Sequence, residues 1–167
     1  DHDIKLVGQG SAYDTYHDSD EYFRSLFSTM VPLLFSQMAD NSHLYCFFSI
    51  TNLEFVYGTL EQAGFQVNRR PIIWTKPGIR STRAPEVWPG AGYEPIAFAR
   101  KGNKPLIQKK ADWIEGIKPP PPSQKGHPAA KPPELYMDLL VRSACIQDFV
   151  FDPCFGSGPL FRACELL

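Results

Sequence analysis

Long apolar runs are missing from this sequence. No stretch reaches the roughly 18 residues that a membrane-spanning helix needs, and no signal peptide is visible. Cysteine is sparse, and its four occurrences (Cys46, Cys145, Cys154 and Cys164) show no C-x-x-C spacing. That argues against a zinc site or a disulfide framework and for reduced thiols in an intracellular, cytoplasmic protein. Two phosphate-binding signatures are also lacking. After Gly156-Ser157-Gly158, Phe161 stands where a dinucleotide fingerprint requires a third small residue, and no Lys-Ser/Thr follows as a P-loop requires. There is no internal repeat. Asp1 stands where an initiator methionine would, which suggests a piece of something longer.

What is present suits one domain, 1–167. The chain is 43% hydrophobic and 13% aromatic, enough for a sizeable core. Net charge is only -1, but it is unevenly spread. Residues 1–68 hold two Lys/Arg against nine Asp/Glu, residues 69–131 hold thirteen against four, and the remainder holds two against five. A basic middle in a near-neutral chain is a candidate surface for a polyanion, or else a solvated face that happens to be basic.

Periodicity gives a coarse order of elements. Residues 1–18 are polar and read as a loop. Ser19 or Asp20 caps a helix whose apolar positions run from Tyr22 to Met38, with Pro32 as a possible kink. Leu44 to Phe48 reads as a strand buried on both faces. Leu53 to Ala63 is a second helix closed by Gly64. Val67 to Trp74 is a strand interrupted by Arg69-Arg70-Pro71, and Tyr93 to Ala99 is another. Pro133 to Cys145 is helical. Strands alternating with helices predict an α/β fold with a mostly parallel sheet flanked by helices.

Two irregular stretches interrupt this order. Residues 75–92 form a basic, Pro- and Gly-rich loop, and 105–133 form a connector stiffened by Pro119-Pro120-Pro121-Pro122.

The end of the chain carries the most specific pattern. Phe149 to Phe151 is a short apolar run suited to a buried strand, ended by Asp152-Pro153. Phe155-Gly156-Ser157-Gly158 makes a tight turn, and Pro159 suits the first position of a helix. Strand, glycine turn and helix together bring small residues and free helix N–H groups beside a polar or anionic ligand.

The segment 152–158 resembles Asp-Pro-Phe-x-Gly-Ser-Gly, the S-adenosylmethionine loop of the DNA amino-methyltransferases. His127-Pro128-Ala129-Ala130-Lys131-Pro132-Pro133-Glu134-Leu135 is similar to the His-Pro-x-x-Lys-Pro-x-Glu-Leu segment of the same family. Trp74-Thr75-Lys76 and Tyr93-Glu94-Pro95-Ile96 match its sheet segments. The resemblance covers residues 20–167 and implies a permuted, Rossmann-like methyltransferase of the beta-type motif order.

That likeness implies S-adenosyl-L-methionine as cofactor, with His127, Lys131, Pro132, Asp152, Phe155, Gly156, Ser157 and Gly158 around it. It implies DNA as partner, with Lys76, Arg80, Arg83 and Trp88 on the contacting loop. The reaction implied is methylation of an exocyclic amino group of a base, adenine N6 before cytosine N4, in a phage or restriction–modification setting. The alternatives are a non-catalytic DNA-binding relic of the fold and an RNA methyltransferase.

Three departures from the family pattern stand out. Pro159 replaces the usual Thr, and Cys154-Phe155 replaces Phe followed by a small residue. The catalytic Asp/Asn-Pro-Pro-Tyr/Phe quartet does not occur. By family order it would precede Asp1, and the ribose-binding acid would follow Leu167, so both ends of the active site are expected to be cut off. Trp74 is expected to pack in the core rather than touch a base, and Glu94 to make a structural ion pair. Trp88 is open between base stacking and simple exposure.

Overall fold

The computed structural model describes residues 19–76, 86–121 and 130–167. Helix α1 spans Asp20–Gln37. The Ser19 hydroxyl accepts from the Tyr22 N–H at 3.1 Å, and Asp20 and Glu21 sit in the first turn where the helix dipole favours negative charge. Asn52, buried at the start of the next helix, donates to Asp20 and accepts from Arg24 at 2.6 Å. Both ends of its amide are thus satisfied, and the first two helices are pinned together.

Strand β1 is Ser42–Phe47, and helix α2 is Leu53–Gln62 after a short 3-10 turn at Ile50–Asn52. The exit from α2 needs Gly64. Its φ is +105°, the N–H of Phe65 reaches back to the Leu60 carbonyl at 3.1 Å, and a Cβ at residue 64 would lie 2.9 Å from the Phe35 ring. Strands β2 (Gln66–Val67) and β3 (Ile72–Thr75) follow, divided at the predicted Arg69-Arg70-Pro71 interruption. Strand β4 is Tyr93–Lys101, β5 is Trp113–Ile114, and helices α3 and α4 are Pro133–Ser143 and Pro159–Leu166.

The sheet is mixed, which corrects the expectation of a mostly parallel one. Its order is β1-β4-β3-β5, with β2 also on β4. The pairs of β4 with β1, β2 and β3 are antiparallel, and only β3 with β5 is parallel. The reason lies in β4. Strands β1 and β3 run in the same direction, joined across helix α2 as a parallel crossover requires. Strand β4 runs the other way and inserts between them, so nearly every ladder contains the one reversed strand. Alternation of strands with helices reveals crossover direction but not which strand slips between two others.

A second correction concerns Phe149 to Phe151, expected as a buried strand. Residues 148–152 carry no strand pairing, and Phe149 and Phe151 are 106% and 75% exposed. Among the described residues no neighbour offers this segment a ladder, and an extended run without partners is not a strand. Likewise β1 is half-buried along its length, because it is an edge strand. The connector 105–133 also contributes β5, a short edge strand rather than wholly irregular chain.

Side chains of β4 alternate between two cores. Ala97 and Ala99 face helices α1 and α2, packing with Phe27, Val31, Val56, Tyr57, Leu60 and Phe65. Ile96 and Phe98 face α3, with Ile72, Trp74, Ile114, Leu135 and Leu139. Small alanines on one side let α2 approach closely. Trp74 is 1% exposed, and its indole N–H donates to the Ile117 carbonyl at 2.9 Å, so it is a core residue as expected.

A buried polar chain ties α3 to the sheet. Tyr45 Oη lies 2.6 Å from Ser143 Oγ, which lies 2.7 Å from His43 Nδ1, and His43 Nε2 lies 2.9 Å from the Lys104 carbonyl. A carbonyl only accepts, so Nε2 carries the proton, Nδ1 accepts from Ser143, and Ser143 accepts from Tyr45. Protonating His43 would force Nδ1 to donate to Ser143 instead of accepting from it, and burial already holds the His43 pKa below the usual 6.5. The unfolded chain therefore binds this proton more readily. The stabilisation is complete above about pH 6.5 and declines as pH falls from there through the folded value. Urea midpoints measured down this range should fall, and His43→Gln should flatten the decline; equal slopes would contradict the network.

Candidate functional site

The carboxyl ends of β1 and β3 and the start of β4 meet at one edge of the sheet, on the face that carries α3. Open α/β sheets bind their ligands at such carboxyl ends. Glu94, paired with Trp74 in the ladder, is the centre of the edge. Its carboxylate holds Lys76 on one oxygen and Lys131 on the other, the latter at 2.9 Å. Both lysine side chains are mostly buried, at 16% and 14% exposure, and each ammonium lies over a ring: Lys76 over Trp74 at 5.0 Å and Lys131 over Phe47 at 5.2 Å. Burial alone would push the Glu94 carboxyl up. Lys131 and Lys76 together outweigh it and hold the group below the usual carboxylate range. The ion pair expected of Glu94 is present, with two partners.

Lys131 and the buried Pro132 stand immediately before α3, whose first residue is Pro133. One turn into α3, Tyr136 stacks at a tilt on Phe47, ring centroids 5.7 Å apart. Burial pushes its phenol up to about 12, and Asp152, Cys154 and Glu94 add to the shift. Asp152 and Cys154 come from the glycine turn and Glu94 from β4, so both segments act electrostatically on Tyr136, and α4, which the turn opens, packs on α3.

The turn itself is built from side-chain and backbone bonds. Asp152 Oδ1 accepts from the Cys154 N–H at 2.8 Å, and the Gly158 N–H donates to the Phe155 carbonyl at 2.9 Å. Gly156 and Gly158 have φ of +53° and +76°, the left-handed region that favours glycine. Gly158 caps α4, Pro159 occupies its first position as expected, and α4 packs on α3. A Cβ on Gly158 would lie 2.8 Å from the Phe155 ring, whereas one on Gly156 would meet nothing nearer than the Cys154 carbonyl at 3.7 Å. The space in front of Gly156 is open. Beneath the turn, burial pushes the Cys46 thiol up to about 12, with Cys154 adding to it. Such a thiol stays protonated and inert.

Of the residues singled out in the sequence, Lys131, Pro132, Asp152, Phe155, Gly156, Ser157 and Gly158 line the two segments that converge here. Lys76 joins them through Glu94. Trp88 is 66% exposed on the neighbouring loop. His127, Arg80 and Arg83 lie outside the described residues. Sequence reasoning missed Phe47, which reads only as part of the apolar strand Leu44 to Phe48, and Tyr136, which reads only as a residue of the helix Pro133 to Cys145. Their only signal was position: one ends a strand and the other falls in the first turn after the Lys-Pro-Pro segment.

The family model of a DNA methylase, the N6/N4 methyltransferases, matches residues 6–167. The chain belongs to this family. The methylase also matches solved structures. M1.HpyAVI in complex with SAM is 21% identical, with a TM-score of 0.71 over 89% of this chain and 74% of that one. M1.HpyAVI in a second crystal structure is 20% identical, with a TM-score of 0.67 over 83% and 68%. A Thermus thermophilus protein, described there as a DNA modification methylase, is 19% identical, with a TM-score of 0.60 over 86% and 68%. No curated protein matches. Among the described residues no helix is long and apolar enough to cross a membrane.

Proposed function

We propose that this methylase binds S-adenosylmethionine between the glycine turn and the Lys131 segment and acts on the exocyclic amino group of a base in DNA, adenine N6 before cytosine N4. What supports the reading is that Lys131 meets the carboxyl end of β1 through Phe47 and the head of β4 through Glu94, while α4, opened by the glycine turn, packs on α3. The residues fit such a ligand. Gly156 leaves its Cβ position open, so a ligand can approach the backbone there.

A bound S-adenosylmethionine would supply an electrophilic methyl group carried on a sulfonium. The chain's own residues do the rest. The backbone of 155–158 holds one side of the ligand, and Lys131 and Pro132 wall the other, with His127 assigned to the same wall. Arg80 and Arg83 take phosphates or guanine edges, Trp88 offers a stacking surface for a displaced base, and Lys76, held by Glu94, stands at the root of their loop. The base has to leave the duplex to reach the methyl group. The acceptors that would draw electron density onto the amino nitrogen belong to the Asp/Asn-Pro-Pro-Tyr/Phe quartet, which these 167 residues do not contain. The second reading is a DNA-binding relic of the fold without catalysis.

The test is calorimetric titration with S-adenosylmethionine, followed by duplex DNA and RNA binding across a salt series. Saturable cofactor binding and preferential DNA binding are expected. Changing Arg80 and Arg83 together to Ala should reduce the salt slope by about two, one per lost phosphate contact. An unchanged slope would remove the loop from the DNA surface. Binding of duplex DNA with no binding of S-adenosylmethionine would favour the relic.

A further inference from the structure

Glu94 is shared between two segments that the proposed function assigns to different ligands. Lys131 leads into α3 beside the cofactor cleft, and Lys76 leads out of β3 into the basic loop. Each ammonium is mostly buried, lies over an aromatic ring and takes one oxygen of the same carboxylate. Glu94 thus sets one negative charge directly against two mostly buried ammonium groups. S-adenosylmethionine carries +1 at neutral pH, because its ammonium and carboxylate cancel and the sulfonium remains. Its demethylated product, a thioether, carries none.

We infer that Glu94 is a positioning residue that also serves as the counter-charge letting a cationic cofactor sit next to two buried lysines. The inference rests on the cofactor reading above. The Lys131 ammonium lies over Phe47 and Phe47 stacks on Tyr136, so the Glu94 cluster reaches the first turn of α3, the helix on which α4 and its glycine turn pack. Without the carboxylate, the edge would become more positive by one charge in a poorly solvated place. A sulfonium would be repelled and a thioether would not. Lys76, released from Glu94, would also be available to phosphate. The same change should therefore weaken one ligand and strengthen another, which simple loss of structure cannot do.

The experiment uses Glu94→Gln, which keeps the shape and hydrogen-bonding reach of the side chain but removes its charge, and Glu94→Asp, which keeps the charge. Affinities for S-adenosylmethionine, S-adenosylhomocysteine and duplex DNA are measured by calorimetry and across a salt series, with thermal melts as a check on folding. In Glu94→Gln the cationic cofactor is expected to bind about tenfold more weakly and the neutral product within about threefold of wild type. DNA binding should tighten, with the salt slope steeper by about one. Glu94→Asp should restore most of the preference for the cation.

Equal weakening of cofactor and product would overturn the proposal and leave Glu94 a purely structural ion pair. An unchanged ratio with normal affinities would overturn it as well. Should the Gln variant fail to fold, the Asp variant decides: a lost preference for the cation despite retained charge sinks the idea, and a retained one sustains it. Wild-type protein that binds neither nucleoside would sink the cofactor reading itself, a result distinct from any change in the ratio.

Discussion

Replacing Gly156 with valine should eliminate S-adenosylmethionine binding while leaving the protein folded. Gly156 sits in an exposed turn at φ +53°, and a Cβ there meets only the Cys154 carbonyl, at 3.7 Å. No packed atom has to move. The folded state bears only the strain of a β-branched residue in left-handed backbone, roughly 1–2 kcal/mol. The ligand fares worse. The open space before Gly156 is where the backbone of the turn can be approached, and a valine side chain would fill it. An affinity loss of about a hundredfold or more is expected, the size of a steric block rather than of a lost contact. Calorimetry and a thermal melt on the same sample separate the two effects. Gly158→Ala is a useful companion. Its Cβ would strike the Phe155 ring, which is half-exposed and can swing aside, so it reshapes the turn without filling the space. Unimpaired binding by Gly156→Val would show that the turn is not the cofactor site.

The features legible in the sequence were the local ones. Ser19 capping α1, Gly64 closing α2, the break at Arg69-Arg70-Pro71 and Pro159 opening α4 each follow from the chemistry of one or two residues, and each stands in the structure. The glycine turn of the candidate site was legible for the same reason, since its glycines encode a backbone path, whereas the Lys131 segment stood out only by its likeness to the methyltransferase family. Sheet order was not. Whether β4 lies beside β3 alone or between β1 and β3 depends on packing between faces. Its alternation of Ile96 and Phe98 with Ala97 and Ala99 reports two buried faces but not which neighbours bury them. The apolar run at Phe149 to Phe151 misled for a related reason: β-propensity marks a segment that fits a sheet, and only a partner makes it a strand. Glu94 lies between these cases. Its position at the head of a strand suggested an ion pair, but that Lys76 and Lys131 would both find it required the two segments to be brought together in space.

The two tryptophans nearest the site should part company when each is changed to alanine. Trp74 is 1% exposed, packs with Ile72, Ile96, Ile114, Leu135 and Leu139, and donates its N–H to the Ile117 carbonyl. Its removal leaves a cavity under α3, an unpaired carbonyl in the connector and no ring beneath Lys76. A cost of about 3–5 kcal/mol is expected, a large share of the roughly 5–15 kcal/mol that holds a domain together. Urea unfolding should show it as a much lower midpoint. Trp88 is 66% exposed. Its loss should leave the midpoint nearly where it was, within about 0.5 kcal/mol. Where Trp88 stacks on a displaced base, its removal should weaken binding to a duplex with a mismatched target by about 1–3 kcal/mol. The opposite pattern, a stable Trp74→Ala with impaired DNA binding, would move the nucleic-acid surface from the loop to the end of β3. Burial argues against that outcome, because a side chain enclosed between a sheet and a helix cannot meet a base without unpacking the core that positions Lys76, Glu94 and Lys131.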